Sequence, residues 1–316
     1  MVRAALDIHS FTRFIPHREI EATASNLNFH RLSPMHSIAM EHLDSGSDGV
    51  SQVELTEPPL ICGLPDDIAL LCLARVPRKY HTLLKCVSKR WRDLVCSEEW
   101  HSYRQKHKLD ETWVYALCRD KFDRACCYVL DPNSSRRCWK PIEGLPPRSV
   151  KRKGIGFEVL GKKVYLLGGC SWSEDATNEV YCYDASMSSW SDAAPLSTAS
   201  GRWQHADADL VSGWRGPAVV LDGTLYVLDQ SSGTRLIMWQ KETREWVPVG
   251  RLSPLLTRPP CQIVAVGKSI FVVGKGLSTV IVDVGNVGNI GGVIITSSIP
   301  KLTSDDDVIS CKCLAL

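Results

Sequence analysis

The sequence predicts an α+β multidomain chain in which a small all-α module precedes a larger all-β domain. Apolar residues recur at helical spacing between residues 64 and 95, whereas short β-branched and aromatic runs separated by turn residues begin near Trp113. Residues 1–57 show neither periodicity. We therefore expect a disordered N-terminal tail over 1–57, a helical module over 58–108 and a β domain over 109–316.

Composition places the chain among ordinary globular proteins. Its 316 residues are 44% hydrophobic and 23% charged, and the net charge of +2 gives no global attraction to nucleic acid or anionic membrane. No apolar stretch reaches the length of a membrane span. We expect neither nucleic acid nor membrane as a partner.

The thirteen cysteines are odd in number and follow no regular spacing. Such usage favours buried, reduced thiols over a disulfide framework, and this is the prediction for the following cysteines: Cys72, Cys86, Cys126, Cys127 and Cys182. Reduced thiols are typical of the cytoplasm, the nucleus or both.

The first predicted helix has clear start and stop signals. Pro65 suits a first helical turn, Asp66 and Asp67 suit its positive end, and Pro77 ends it. Ile68, Leu71 and Cys72 recur on one face of this helix.

Two further short helices follow. The second carries Leu83, Leu84 and Val87, and the third begins at the cap Ser88 and carries Trp91, Leu94 and Val95. About fifty residues cannot bury that many apolar side chains alone, so part of this surface is expected to meet a partner.

Leu-Pro-Asp-Asp at 64–67, followed by Val-Ser-Lys-Arg-Trp-Arg-Asp-Leu at 87–94, resembles the F-box. The resemblance implies binding to the Skp adaptor of an SCF ubiquitin ligase. The residues expected to form or support the adaptor face are Leu64, Pro65, Ile68, Val76, Leu83, Leu84, Val87, Trp91 and Leu94. Some of them must belong to the module's own core, and the sequence does not divide them. The alternative is a three-helix bundle whose apolar stripes are all internal.

The β domain contains a repeated unit. Gly161-Lys162-Lys163-Val164-Tyr165-Leu166-Leu167-Gly168-Gly169 is followed by Val-Tyr-Cys-Tyr-Asp at 180–184 and by Trp190. The same order returns at 222–252 with Trp246, again at 266–283 without a tryptophan, and partially at 113–139 with Trp139. A period near fifty residues, with a glycine pair and a closing tryptophan, resembles the kelch repeat, one four-stranded propeller blade. The resemblance implies a propeller of about four blades.

The repeat is irregular at one place. Trp139 to Trp190 is 51 residues and Trp190 to Trp246 is 56, but Trp203 follows Trp190 by only 13. Either three strands of a blade are missing after about Ser200, which would leave the propeller incomplete, or a long loop joins two blades. A final strand over 307–316 is expected to complete the first blade and remove two sheet edges.

Catalytic motifs are missing from the sequence. It has no phosphate-binding Gly-x-x-x-x-Gly-Lys-Ser/Thr loop, no His-Glu-x-x-His and no Gly-x-Ser-x-Gly, and His205 is the only histidine after Glu111. We expect no metal, no cofactor and no enzyme activity. The basic run 148–153 is either a nuclear import patch or a solvated loop.

Together the two resemblances cover about four-fifths of the chain and imply a substrate receptor of an SCF-type cullin–RING ubiquitin ligase. The F-box would bind the Skp adaptor and the propeller would bind a target protein, whose identity the sequence does not give. The alternative is a non-degradative scaffold or a decoy that binds the adaptor through its F-box but has a defective propeller.

Overall fold

The computed structural model describes residues 58–173, 175–196, 209–210, 214–231, 233–284, 297–302 and 304–316. The expected tail at 1–57 and the irregular segment around Ser200 and Trp203 lie outside them. The helical module contains α1 (Asp66–Ala74), a 3-10 turn (Arg78–Tyr80), α2 (His81–Val87), α3 (Lys89–Cys96) and α4 (Glu98–Lys106). The last of these helices was not predicted.

The β domain consists of four four-stranded antiparallel sheets, here called blades 1 to 4. Blade 1 contains β1 (Thr112–Arg119), β2 (Ala125–Leu130), β3 (Trp139–Ile142) and β16 (Asp307–Ala315). Blade 2 follows a short helix α5 (Pro147–Val150) and contains β4 (Gly156–Leu160), β5 (Lys163–Leu167), β6 (Val180–Asp184) and β7 (Ser189–Ala193).

Blade 3 contains β8 (Ala218–Leu221), β9 (Thr224–Asp229), β10 (Arg235–Gln240) and β11 (Glu245–Arg251). Blade 4 contains β12 (Gln262–Val266), β13 (Ser269–Val273), β14 (Thr279–Asp283) and β15 (Ser297–Ile299), with a 3-10 turn at Lys275–Leu277. The fold class and the count of about four blades are therefore confirmed.

Blade 1 is built from both ends of the β domain. β16 pairs antiparallel with β1, from Thr112 opposite Ala315 to Arg119 opposite Asp307. Backbone hydrogen bonds between Glu111 and Leu316 extend this pairing at 2.8 and 3.1 Å. The prediction that the final strand completes the first blade is confirmed.

Three clusters of buried side chains join neighbouring blades. One contains residues of blades 1 and 4, a second those of blades 1 and 2, and a third those of blades 3 and 4. None of the three clusters joins blade 2 to blade 3 within the described residues. The ring is therefore open on this side, as expected for an incomplete propeller, and the opening coincides with the break in the sequence repeat.

The glycines and tryptophans of the repeat have the packing roles that the sequence suggests. Gly168 has φ +58°, and a Cβ there would lie 2.8 Å from the Thr177 carbonyl oxygen, so no other residue fits without a backbone shift. Trp139 is 3% exposed, and its Nε1 donates to Thr279 Oγ1 of blade 4 at 3.0 Å. This tryptophan therefore closes a gap between two blades.

The thiol prediction is correct only in part. The thirteen cysteines, all within the described part of the chain, are free thiols. Cys127 and Cys182 are buried and Cys126 is half-buried, but Cys72 and Cys86 are exposed. The prediction of burial was wrong for these last two because α1 buries Ala69, Leu73 and Ala74 instead, and α2 buries Leu84.

Candidate binding surfaces

The structure divides the nine residues predicted for the F-box surface into two groups. Leu84, Val76, Trp91 and Leu94 contact the core of the helical module, which is centred on Leu73, Ala74, Val95 and Trp100. The exposed group comprises Leu64 (37%), Ile68 (43%), Leu83 (63%), Val87 (62%) and Pro65. Leu83 and Val87 are four residues apart on α2 and share one face of that helix.

The two halves of the sequence motif contact each other. The Asp66 carboxylate accepts from the Leu60 N–H at 2.8 Å and from Arg90 Nη2 at 2.7 Å. The Leu60 hydrogen bond, with help from Arg90, lowers the pKa of Asp66 below its ordinary value. The predicted cap is also present, since Ser88 Oγ accepts from the Trp91 N–H at 3.1 Å. These bonds fix the start of α1 against α3, and with it the positions of Leu64 and Pro65.

Arg78 joins the helical module to blades 1 and 2. Its guanidinium donates to Tyr115 Oη at 2.8 Å and to the Ala185 carbonyl at 3.1 Å, and it lies 4.1 Å from the centroid of the Trp113 ring. The residue is only 7% exposed, and its backbone N–H donates to Glu111 Oε1 at 2.7 Å. No sequence signal indicates this role, because an arginine next to Lys79 resembles any solvated basic pair.

Further contacts support the same interface. Lys85 donates to the Ser186 carbonyl, and Lys162 forms an ion pair with Glu98 of α4. Within the module, Arg104, 1% exposed, donates to the carbonyls of Ala74, Val76 and Leu109 and so ties α4 to the end of α1. The module therefore docks as a block onto one end of blades 1 and 2.

Two buried histidines lie in or beside this interface. Burial lowers the pKa of His81 and of His101 to about 4 in each case, and the positive charges of Arg104 and Lys162 respectively are the next largest cause. His81 is bonded to the Val76 carbonyl at 3.1 Å and packs edge-on against Trp100 at 5.7 Å. Both imidazoles are therefore neutral near pH 7.

The strands separate two faces of the propeller. The F-box face carries the β4–β5 and β6–β7 turns, since Leu160 pairs with Lys163 and Asp184 with Ser189. The far face carries the loops 120–124, 143–155 and 168–179, which connect the opposite ends of the same strands. Five-residue strands place the two faces roughly 16 Å apart.

Metal sites and membrane spans are absent from the described residues. No cluster of three or more His, Cys, Asp or Glu side chains there is arranged to hold a metal ion. No helix in the same part of the chain has the length and apolar character needed to cross a membrane.

The structure thus defines a class of protein in which a small helical module with exposed apolar side chains is fixed to a β-propeller. Family profiles agree with this description: the F-box domain matches residues 61–103, and the Kelch motif matches residues 151–197. The F-box in general binds Skp-type adaptors, and proteins that combine it with kelch repeats are generally adaptors rather than enzymes.

The chain belongs to the F-box/kelch-repeat protein family. It is 42% identical over 343 residues to the F-box/kelch-repeat protein SKIP4 of Arabidopsis thaliana, covering 83% of this chain and 96% of the relative. The F-box/kelch-repeat protein SKIP30 of Arabidopsis thaliana is 29% identical over 232 residues, covering 70% of this chain and 62% of that relative. A solved structure described as "Structure of YjhT" aligns at 15% identity and a TM-score of 0.22, covering 61% of this chain and 66% of that one.

The SKIP4 alignment contains a length difference. It spans 343 residues, but 83% of the 316 residues of this chain is only about 262, so about 81 aligned residues of SKIP4 have no counterpart here. This difference exceeds one blade of about fifty residues. The comparison therefore agrees with a propeller that has lost at least one blade.

Proposed function

We propose that this protein is a substrate receptor of an SCF-type cullin–RING ubiquitin ligase. The F-box binds the Skp adaptor, the propeller binds a target protein, and the assembly works in the cytoplasm, the nucleus or both. The observation that supports this proposal best is the exposed apolar group on the F-box, Leu64, Pro65, Ile68, Leu83 and Val87. Apolar side chains of this size on a small module are typical of a protein interface.

The receptor contributes position rather than chemistry. Holding a target lysine near the ubiquitin thioester raises its effective concentration, which alone accelerates transfer strongly. Charge supports the adaptor contact as well, because residues 60–110 carry ten Lys or Arg against six Asp or Glu. An acidic adaptor surface would be attracted to this region.

The test of adaptor binding is a pull-down with a purified Skp adaptor. Leu83→Glu and Val87→Glu each place a charge on the exposed face of α2, and each is expected to abolish binding without unfolding the module. The double variant Leu64→Ala/Pro65→Ala is expected to weaken binding through lost apolar contact and a loosened helix start.

Leu255→Glu is the matched control, because Leu255 is 76% exposed and lies on the propeller. It should bind the adaptor as well as the parent does. Unchanged capture of the adaptor by both α2 variants would refute the F-box surface proposed here.

The open side of the ring favours a second candidate, a non-degradative scaffold or decoy that binds the adaptor but holds no target for degradation. The two functions differ in what accompanies the protein in cells. A receptor co-purifies with both cullin and target when the proteasome is blocked, and its removal lengthens the target's half-life. A decoy co-purifies with the adaptor, and its removal leaves target half-lives unchanged or shortens them.

A further inference from the structure

Two exposed aromatic side chains mark the far face of blades 1 and 2. Trp172 is 92% exposed and Phe122 is 64% exposed. Lys153 Nζ lies 5.2 Å from the Trp172 ring centroid, and the same ammonium pairs with Asp123 at 2.6 Å. Lys153 therefore contacts both the loop of Phe122, through Asp123, and the Trp172 ring, so the two aromatic rings belong to one surface that spans both blades.

The backbone holds the Trp172 loop in place. Lys153 and Cys170 exchange backbone hydrogen bonds of 2.7 and 2.9 Å. Gly169 between them has φ +91°, and a Cβ there would lie 3.0 Å from the Lys153 carbonyl oxygen. A large aromatic side chain exposed on a fixed loop is typical of an interface anchor, since little conformational freedom is lost when it binds.

A groove of about 550 Å³ lies beside these loops and is open to solvent. It is lined by Arg148, Arg152 and residues 175–179. The Arg152 side chain is 5% exposed, and its Nη2 donates to Glu179 Oε2 at 2.8 Å. Its Nη1 is buried and has no acceptor among the described residues. The groove therefore contains a buried guanidinium group in which Nη2 is paired and Nη1 has no acceptor among the described residues.

The charged side chains that line the groove, Arg148, Arg152, Asp175 and Glu179, sum to zero, so the preference for an anion rests on the unpartnered Arg152 Nη1 and not on net charge. Arg148 is 77% exposed and contacts Glu179 at 3.3 Å, and Glu179 also accepts from the Tyr181 hydroxyl at 2.8 Å. Asp175 lines the same groove, so a phosphate dianion meets more repulsion than a carboxylate does. The two oxygens of a carboxylate match the paired N–H groups of an arginine, and Arg152 Nη1 still lacks an acceptor among the described residues.

The same geometry argues against a nuclear import signal at residues 148–153. Such a signal needs an accessible basic segment, whereas Arg152 is buried and Lys153 is fixed by its backbone pairing with Cys170. The basic run is part of a folded surface.

We propose that this groove and Trp172 form the target-binding surface, and that its occupant is a peptide segment with an acidic side chain next to an aromatic or aliphatic one. The carboxylate accepts from Arg152 Nη1 and from Arg148, and the apolar neighbour packs on the Trp172 ring. This inference rests on the proposed function and specifies the chemistry of the target.

The probe is a library of random dodecapeptides displayed on phage and selected on the full chain. Selected peptides should be enriched in Asp or Glu next to an aromatic or aliphatic residue. A synthetic peptide of the consensus, labelled for fluorescence anisotropy, should bind Arg148→Ala and Trp172→Ala at least ten-fold more weakly than the parent. Leu255→Ala is the control, since Leu255 is exposed in a far-face loop between blades 3 and 4, and it should bind normally.

Circular dichroism and adaptor pull-down of the two variants show whether they are folded, and both side chains are exposed enough to be replaced without loss of the fold. The proposal is overturned if no selected peptide depends on both residues, or if the consensus lacks an acidic position. Failure of the parent to bind the adaptor would instead reject the ligase function and leave the peptide result in place.

Discussion

The ring is closed where blade 1 meets blade 4 and open where blade 2 meets blade 3. At the closed side, β16 lies beside β12, and a shared cluster includes Val114, Trp139, Phe271 and Ile281. At the open side, no cluster of the described residues bridges the two blades. The closed side is the one at which β16, from the far end of the β domain, completes blade 1 and packs beside blade 4.

The open side coincides with the irregular part of the sequence repeat. Trp203 follows Trp190 by only 13 residues, whereas the blade period is near fifty. Blades 2 and 3 are therefore neighbours in sequence that share no buried cluster among the described residues.

The largest expected effect is loss of the closed side. Deleting residues 307–316 removes β16 and leaves β1 as an unpaired edge, so we expect the β domain to lose cooperative unfolding and to aggregate. Differential scanning calorimetry and size-exclusion chromatography measure both outcomes. An unchanged, fully cooperative unfolding transition after the deletion would contradict this role of β16.

A smaller effect is expected at the tryptophan of the closed side. Trp139→Ala removes a buried side chain and its bond to Thr279, and the cavity should lower the free energy of unfolding by about 3–5 kcal/mol. Chemical denaturation measures this loss. Thr279→Val, which removes only the hydroxyl acceptor, should cost about 1–2 kcal/mol. Equal costs for the two variants would contradict the proposed packing role.

Acid should weaken the helical module before the ring. His81 and His101 have pKa values lowered by burial to about 4, so their contribution is present above pH 6.5 and is lost as the pH falls toward 4. Each is expected to remove about 1–2 kcal/mol of stability between pH 7 and pH 5. Thermal unfolding followed by circular dichroism measures this loss. A His81→Gln/His101→Gln variant, if folded, should show a flatter pH dependence, and an identical profile would disprove the assignment.

Smaller effects are expected at the tryptophans of blades 2 and 3, of which Trp190 packs against the cluster that joins blades 1 and 2. Trp190 is half-buried against Tyr183 at 5.1 Å and lies near Gly144, whereas Trp246, at the equivalent position in blade 3, contacts Trp239 at 5.3 Å within its own blade. Replacement by Ala should cost about 2–3 kcal/mol for Trp190 and about 1 kcal/mol for Trp246. The denaturant midpoint should therefore be highest for Trp246→Ala, intermediate for Trp190→Ala and lowest for Trp139→Ala. A loss for Trp246→Ala as large as that for Trp190→Ala would mean that the open side is packed.

The features that could be predicted from the sequence are those marked by repeats or by short motifs. The four blades, the pairing of the last strand with the first blade and the Ser88 cap follow from local patterns that recur or have known stop signals. The pattern of apolar residues did not separate Leu83 from Leu84, since adjacent helical residues differ in burial only through what packs on them. The role of Arg78 depends on partners 33 to 107 positions away in the sequence, and that of Arg152 depends on a groove. Neither feature can be predicted from the residue's immediate sequence neighbours.

The buried Arg78 contact also sets a limit on what this protein can hold in reach. With the helical module fixed to blades 1 and 2, the far face points away from the F-box at a constant angle and distance. Under the proposed ligase function, a bound target would keep one orientation, and only its lysines that point toward the F-box end would be presented. Selectivity among lysines of one target would then be a matter of direction, set by the Arg78, Lys85 and Lys162 contacts that hold the module on the blades.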